Sequence, residues 1–450
     1  MPRIKPPKPK SRADNAGFLE RLRLFRKDLF CSQPERLYSA KMARVKTPFY
    51  SSVLVNQPEL VKTVLEDRPM DFPKSEIITE TLKPLLGNSV FLTNGELWAR
   101  QRRMIDPAFE AGRLRESFPG MVASGEAALA RLKTGETEME FETAHLAADV
   151  IFRTLFSIPI TENRARLVFQ AFREYQRSQP LLSPMELIRA PKWLPRKQKG
   201  EDHAHTIRTL LSELVSERQA LIDAGQTPDD LATKIMTTRD PDTGQVFTHQ
   251  EMVDQVAIFF LAGHETSASA LSWALYCLAC DPEAQRDVSD EIEEVVGEGP
   301  FEFAHIPRLR FTRDVFREVL RLYPPVPMMV RETLKDETFR NENLRAGSLC
   351  MVSPWHMGRH TGIWVAPDVF DPWRWQDETT RHCARQAYLP FSKGARVCSG
   401  AGFAMLEGVL LLAMIVRGFH MAPTSRVPVP VAHLTVRAED GIWLNLSPRD

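Results

Sequence analysis

Cysteine is scarce in this chain, six in 450 residues: Cys31, Cys277, Cys280, Cys350, Cys383 and Cys398. A chain of this length builds a core without disulfide staples, so sparse cysteine points to a reducing compartment. An excess of one charge is also missing. Lys plus Arg and Asp plus Glu are each 58, a formal net charge of zero. That argues against nucleic acid or an anionic membrane as the main partner, since both select basic excess. No long Gly/Ser run or like-charge block interrupts the interior, so residues 15–450 read as one domain. No apolar run reaches the roughly 20 residues that a membrane span needs. The longest, Val409 to Val416, reads as the body of a helix. The first ten residues are basic and proline-rich without the apolar core of a secretory signal, and residues 1–14 are expected to form a disordered arm.

What is present is mostly helical pattern. Phe18, Leu22, Phe25 and Leu29 share a helical face. From Phe141 to about Asp223 helix follows helix, broken by the proline-rich stretch Leu181 to Pro195. Thr47 to Val55 reads as a strand, Pro58 opens a short helix, and Asp71 to Asn94 reads as a long, partly helical loop. His433 to Ser447 alternates and turns at Glu439-Asp-Gly441, which reads as a hairpin. The fold class is mainly α with a small β lobe (α+β). Cys277 and Cys280 lie in a helical setting with no second pair nearby, so they read as small buried apolar residues, not a zinc or redox site.

Phe391 to Ala404 reads Phe-Ser-Lys-Gly-Ala-Arg-Val-Cys-Ser-Gly-Ala-Gly-Phe-Ala. Gly394, Gly400 and Gly402 surround Cys398, and an apolar helix follows. A thiolate in such a loop gains from the N–H groups and positive end of the helix. An inert cysteine on a tight turn fits the bare spacing as well. A second anomaly lies in the long apolar helix His249 to Asp281, which carries Gly263, His264, Glu265 and Thr266 at mid-length. Glycine there costs about 1 kcal/mol relative to alanine, and a buried acid costs more unless paired. Such violations mark functional sites.

The cysteine stretch resembles the haem-binding loop of the cytochrome P-450 family, Phe-x-x-Gly-x-Arg-x-Cys-x-Gly-x-x-x-Ala. Phe391, Gly394, Arg396, Cys398, Gly400 and Ala404 all match. Ala262, Gly263, Glu265 and Thr266 resemble the family's oxygen-activating signature. Trp98 and Arg102 resemble its propionate-binding Trp-x-x-x-Arg. Glu318, Arg321 and Arg374 resemble its buried Glu–Arg–Arg network, a structural feature.

The resemblance implies the family's fold, with haem b between the oxygen-activating helix and the helix after the cysteine loop. It implies Cys398 as the axial thiolate, Trp98, Arg102, Ala262, Arg331, Phe391, Arg396 and Gly400 around the cofactor, and Thr266 with Glu265 as the alcohol and acid that deliver protons. Gly263 and Thr266 would let that helix widen, while His264 would face away from the haem. The helices flanking Leu181 to Pro195 would form a lid, and the terminal hairpin would close the pocket. Pocket candidates are Pro84, Leu85, Leu86, Val90, Phe91, Phe259, Val326, Met328 and Met329. The implied activity is monooxygenation of a hydrophobic substrate by a cytoplasmic, unanchored monomer. Electrons would come from NAD(P)H through a separate ferredoxin or flavodoxin system, with Arg100, Arg103 and Lys393 in a basic docking patch. A peroxide-driven hydroxylase and a haem-binding sensor or carrier are the alternatives.

Overall fold

The computed structural model describes residues 3–46, 51–178, 200–432 and 434–449. The proline-rich break at Leu181 to Pro195 lies outside these residues. Its flanking helices, Asn163–Ser178 and Glu201–Asp223, are present.

The molecule is built around the helix His249–Cys280. A capping box starts it: Thr248 Oγ1 accepts from the Glu251 N–H at 3.3 Å, and the Glu251 carboxylate accepts from the Thr248 N–H at 2.8 Å. Apolar residues then surround the helix on almost every face, so it is buried almost all round. It packs against Met139–Phe156, Glu201–Asp223, Arg310–Leu322 and Ala401–Gly418. Gly263 is explained by this packing. A Cβ there would collide with the Ile151 side chain of Met139–Phe156. The expected widening of the helix is not observed, for the run from His249 to Cys280 is unbroken α-helix.

Ala401–Gly418 corrects the reading that no segment could span a membrane. By length and composition this helix is apolar enough to do so. Here its residues from Leu406 to Val416 are core. The uninterrupted apolar run is shorter than the helix because Glu407 and Gly408 separate Val409 to Val416 from Phe403 to Leu406.

The β lobe holds a four-stranded sheet ordered Met42–Lys46, Ser51–Val55, Leu349–Val352, Met329–Glu332. Its middle pair is parallel and the outer pairs are antiparallel. The expected single strand over Thr47 to Val55 is thus only the second arm of a hairpin; 47–50 lie outside the described residues. The stretch Asp71 to Asn94 is partly helical as expected, its helix being Glu76–Leu86. Ser75 caps it, accepting from the Ile77 N–H at 3.3 Å, and Pro84 is tolerated inside.

The expected terminal hairpin is corrected too. The turn exists, with Gly441 at φ +75°. Its two strands join different sheets: Val436–Ala438 pairs with Pro430–Ala432, and Trp443–Pro448 lies between Gly135–Glu138 and Phe419–Pro423. Alternation shows which face is buried but not which strand is the partner.

Nor do the first residues form a free arm. From Arg3 to Arg12 the chain lies against the protein. The Ile4 carbonyl accepts from the Phe370 N–H at 3.0 Å, and the Pro7 carbonyl accepts from the Tyr323 hydroxyl at 2.6 Å. The Arg3 guanidinium lies 3.4 Å from the Trp373 ring centroid. Proline fixes an extended backbone and leaves its carbonyls free for such bonds.

Helix Arg310–Leu322 buries Glu318 and Arg321 completely, the pair meeting at 2.8 Å. Arg374 reaches the same carboxylate at 3.0 Å. The Asp371 N–H and Trp375 indole N–H also donate to it, at 3.0 and 3.2 Å. Arg321 spends its remaining N–H groups on the carbonyls of Gly358, Pro367 and Val369. The network therefore ties this helix to the loop before Phe391. Arg321→Ala leaves a buried carboxylate short of its main cation, and a loss of about 3–5 kcal/mol is expected in equilibrium urea unfolding. An unchanged midpoint would show that the network carries no such weight.

Candidate functional site

Gly394 has φ +69°, and a Cβ there would collide with the Leu65 carbonyl oxygen, so only glycine turns the chain at this point. The Cys398 N–H donates to Phe391 O at 2.9 Å, and Cys398 O accepts from the Ala401 N–H at 3.3 Å. The cysteine thus sits at the entry to Ala401–Gly418. Its accessible surface opens onto a cavity of about 990 Å³. Burial pushes its thiol up, while the Gly400 N–H and the Arg102 charge pull it down.

Four cations line the cysteine end of this cavity: Lys74, Arg102, Arg331 and Arg396. Arg102 bonds Val397 O at 2.7 Å and Asp106 at 2.9 Å, which ties the helix Gly95–Ile105 to the cysteine loop. Arg396 donates to Pro69 O and stands 5.2 Å from the Trp98 ring centroid, while its Nε is buried without a partner. Arg331, on strand Met329–Glu332, is held down to about 10 by burial and by Arg396. Lys74 is half-buried, bonded to the carbonyls of Val90 and Thr93 at 2.6 and 3.0 Å. Burial first, then Arg331, Arg396 and Arg102, hold its ammonium well below the ordinary lysine range. Like charges crowd an apolar wall here, and among the described residues only one carboxylate, that of Asp106, is bonded to any of them.

The central helix turns Phe259, Ala262, Thr266 and Ser267 to the same cavity. The Thr266 hydroxyl donates to Ala262 O at 2.6 Å. Glu265 does not line the cavity. It is buried against Arg437 at 3.0 Å, with Gln176 and Thr435 donating to the same carboxylate. Burial raises its carboxyl pKa, and Arg437 opposes the shift. The expected acid–alcohol pair is therefore adjacent in sequence but split in space, because consecutive helical positions face about 100° apart. His264 packs among Phe169, Phe172 and Phe260 and bonds Phe260 O at 2.8 Å. Burial lowers its pKa to about 4.

The cytochrome P450 family model matches residues 27–442. The chain belongs to the cytochrome P450 family. Two relatives come from Streptomyces melanosporofaciens. Cyclooctatin synthase is 31% identical, covering 84% of this chain and 83% of its own length. Cyclooctat-9-en-7-ol 5-monooxygenase is 32% identical, covering 82% and 80%. A porcine relative (Sus scrofa), taurochenodeoxycholic 6 alpha-hydroxylase, is 29% identical over 88% of this chain and 81% of its own. In structure, the chain resembles the haem domain of a cytochrome P450DA mutant, with TM-score 0.82 at 22% identity over 99% and 98% of the two chains. The chain is a cytochrome P450 monooxygenase, and the family's cofactor is haem held by a cysteine thiolate.

The cavity fits that cofactor. Haem is flat, apolar and carries two carboxylates; the wall offers apolar surface, one thiol, crowded cations and the orphaned Arg396 Nε. Trp98, Arg102, Ala262, Arg331, Phe391, Arg396 and Gly400 all line it. Of the pocket candidates, Val90, Phe91, Phe259, Val326, Met328 and Met329 line it as well. Leu86 does not, nor do Pro84 and Leu85. Leu85 and Leu86 are fully buried in the main core, because Glu76–Leu86 turns Ile78 and Leu82 to the cavity instead. The suggested docking patch is largely neutralised: Arg100 pairs with Glu251 at 2.6 Å, and Arg103 with Asp240 at 2.8 Å and Asp242 at 3.0 Å.

Sequence reasoning missed Lys74, Arg437 and Glu407. Each meets the site only through folding, and none lies in a motif. Glu407 is buried on Ala401–Gly418 and accepts from the Ser267 hydroxyl at 2.5 Å, its second oxygen unpartnered. Burial pushes its carboxyl pKa up to about 8. A raised acid pKa means that the folded state holds a proton the unfolded state releases. Stability is therefore lost as pH rises from the ordinary carboxyl value to about 8, by up to about 1.4 kcal/mol per pH unit. Glu407→Gln removes the slope, so its stability relative to the parent protein should climb between pH 5 and 8 in urea unfolding. Parallel curves would show that Glu407 does not titrate this way.

Proposed function

We propose that this P450 inserts one oxygen atom into a C–H bond of a hydrophobic organic substrate, with Cys398 as the residue that would hold the haem. The other atom leaves as water, which consumes two electrons and two protons. The observation that carries the reading is that Cys398, Thr266 and an apolar wall including Phe259, Val326, Met328 and Met329 open onto one cavity. Bound haem supplies the activation of dioxygen. The protein's share is to hold the thiolate, to seat the cofactor's carboxylates on Arg102, Arg331 and Arg396, and to bring protons to Thr266. Glu265 serves as the proton donor when it exchanges Arg437 for the cavity side, and its raised pKa keeps a proton available.

Two electrons come from NAD(P)H through a ferredoxin or flavodoxin. The family match occupies residues 27–442, which leaves the reductase to another polypeptide or to another part of a longer one. We read the chain as acting in the cytoplasm as a monomer. The apolar wall supports a hydrophobic substrate, as does the cyclooctat-9-en-7-ol in the name of one relative.

Two variants test the reading. Cys398→Ser should abolish the thiolate-type absorption band of the reduced, carbon-monoxide-bound protein. Thr266→Ala should keep that band while diverting most of the NAD(P)H consumed, about tenfold more than in the parent protein, into hydrogen peroxide. A Cys398→Ser protein that retained the band would overturn the ligand assignment. Unchanged coupling in Thr266→Ala would remove that hydroxyl from the proton path.

A further inference from the structure

Glu265 can turn toward Thr266 only by leaving Arg437, and the arginine it leaves needs another anion. A guanidinium parted from its carboxylate in a half-buried place is costly. The two partners are unequally held: Glu265 keeps 3% of its side chain in solvent and Arg437 keeps 30%. Arg437 is therefore the partner free to swing outward, away from the central helix. The Thr435 hydroxyl, 3.5 Å from Arg437 Nε, offers it no charge.

A second carboxylate lies near it. Glu140 stands in the first turn of the helix Met139–Phe156, and it accepts from the Ala438 N–H at 3.4 Å, one residue beyond Arg437. Among the described residues Glu140 has no cation within ion-pair distance. The charged groups facing it are few. The strand Val436–Ala438 supplies Arg437, the helix Asn163–Ser178 supplies Arg173, and the chain just before Met139 supplies Glu138. Arg173 lies over the Phe141 ring, 4.5 Å from its centroid. Glu138 is engaged in capping, accepting from the Phe141 N–H at 3.0 Å. The turn after Ala438 adds Glu439 and Asp440, both exposed. Arg437 thus has two acids in reach, the buried Glu265 and the half-buried Glu140, and is paired with the first. Burial pushes the Glu140 carboxyl up to about 7, against the pull of Arg437.

We propose that Glu140 is a positioning residue that receives the Arg437 guanidinium when Glu265 turns to the cavity. Arginine suits such an exchange, since its five N–H donors let it meet a second carboxylate before leaving the first. An arginine favours the ionised acid, so Glu140 gives up its proton, to water at the exposed turn, as it takes the cation. The direction with pH follows. Below about 7 Glu140 is protonated and Arg437 stays with Glu265; above about 7 Glu140 is charged and competes for the arginine. Release of Glu265 is thus favoured as pH rises through about 7. The use made of the exchange rests on the reading of Glu265 as proton donor; the exchange itself does not.

The test removes the first acid and follows the second. The full-length, haem-loaded protein is labelled with carbon-13 at the glutamate carboxyl, reduced, bound with carbon monoxide and titrated by NMR. The Glu140 signal is assigned by its loss in Glu140→Gln. In Glu265→Gln, Arg437 has lost its partner, and Glu140 should titrate at least about one pH unit lower than in the parent protein. Removing the arginine as well, in Glu265→Gln with Arg437→Gln, should cancel that fall, and Glu265→Gln with Arg437→Lys should keep part of it. Equal Glu140 midpoints in the parent protein and Glu265→Gln overturn the proposal, as does a fall that persists without Arg437. If Glu265→Gln does not take up haem, Arg437→Gln alone decides: the Glu140 midpoint should rise by about one pH unit, and a midpoint that stays overturns the proposal. If Glu140 behaves as stated while Thr266→Ala leaves coupling unchanged, the proton-path reading fails and the exchange stands.

Discussion

A cavity with cationic walls inside a neutral protein sets the terms for the rest of the structure. Arginines crowded on an apolar surface repel one another, so an anion entering there is favoured. The protein meets part of the cost itself. Lys74 and Arg396 lean on backbone carbonyls, and Arg102 shares Asp106 with Ser399 of the cysteine loop. What those bonds leave unsatisfied is a preference for carboxylates. The same residues that await an anion also hold the loop carrying Cys398, so cofactor seating and loop geometry are one problem.

The central helix solves a different one. It must be apolar enough to form the core, yet present oxygen atoms to the cavity. Thr266 and Ser267 do this cheaply, because a hydroxyl returns a hydrogen bond to the preceding turn or to a neighbouring side chain. Glu265 is the expensive residue, and three groups from two distant segments, Gln176, Thr435 and Arg437, gather to hold it. Those tethers join the helix Asn163–Ser178 and the strand Val436–Ala438 to one carboxylate. Any motion that delivers Glu265 toward Thr266 must therefore loosen both segments together.

The cysteine loop, the Trp98–Arg102 pair and the Glu318–Arg321 pair were legible because their partners lie within one turn or one loop. The chemistry forces the spacing, and the spacing survives in the sequence. Arg374 was legible only through the resemblance, since more than fifty residues separate it from Glu318. Lys74, Arg437 and Glu407 were not legible at all: an isolated charge reads as solvated surface until the fold buries it. The first residues failed for the opposite reason. Their proline and lysine content is that of a free tail, yet the carbonyls between those prolines find Phe370 and Tyr323. The terminal strands failed because both carry the same alternation, and two sheets compete for them.

Two hydroxyls stand side by side on the central helix, and different acids lie behind them. Glu265 has a cation, Arg437, and faces away from the cavity. Among the described residues Glu407 has no cation in contact, and its hydrogen bond runs to Ser267, which faces the cavity. Burial raises both carboxyl pKa values, opposed at Glu265 by Arg437 and at Glu407 by the Ser267 hydroxyl alone. Glu407 therefore keeps a proton one hydrogen bond from the cavity without any rearrangement, whereas Glu265 must first leave its arginine. The two acids are suited to different tasks. On the proposed reading, Glu407 would hold a proton in the wall, and release of a proton from Glu265 would be coupled to movement of the segments that hold it.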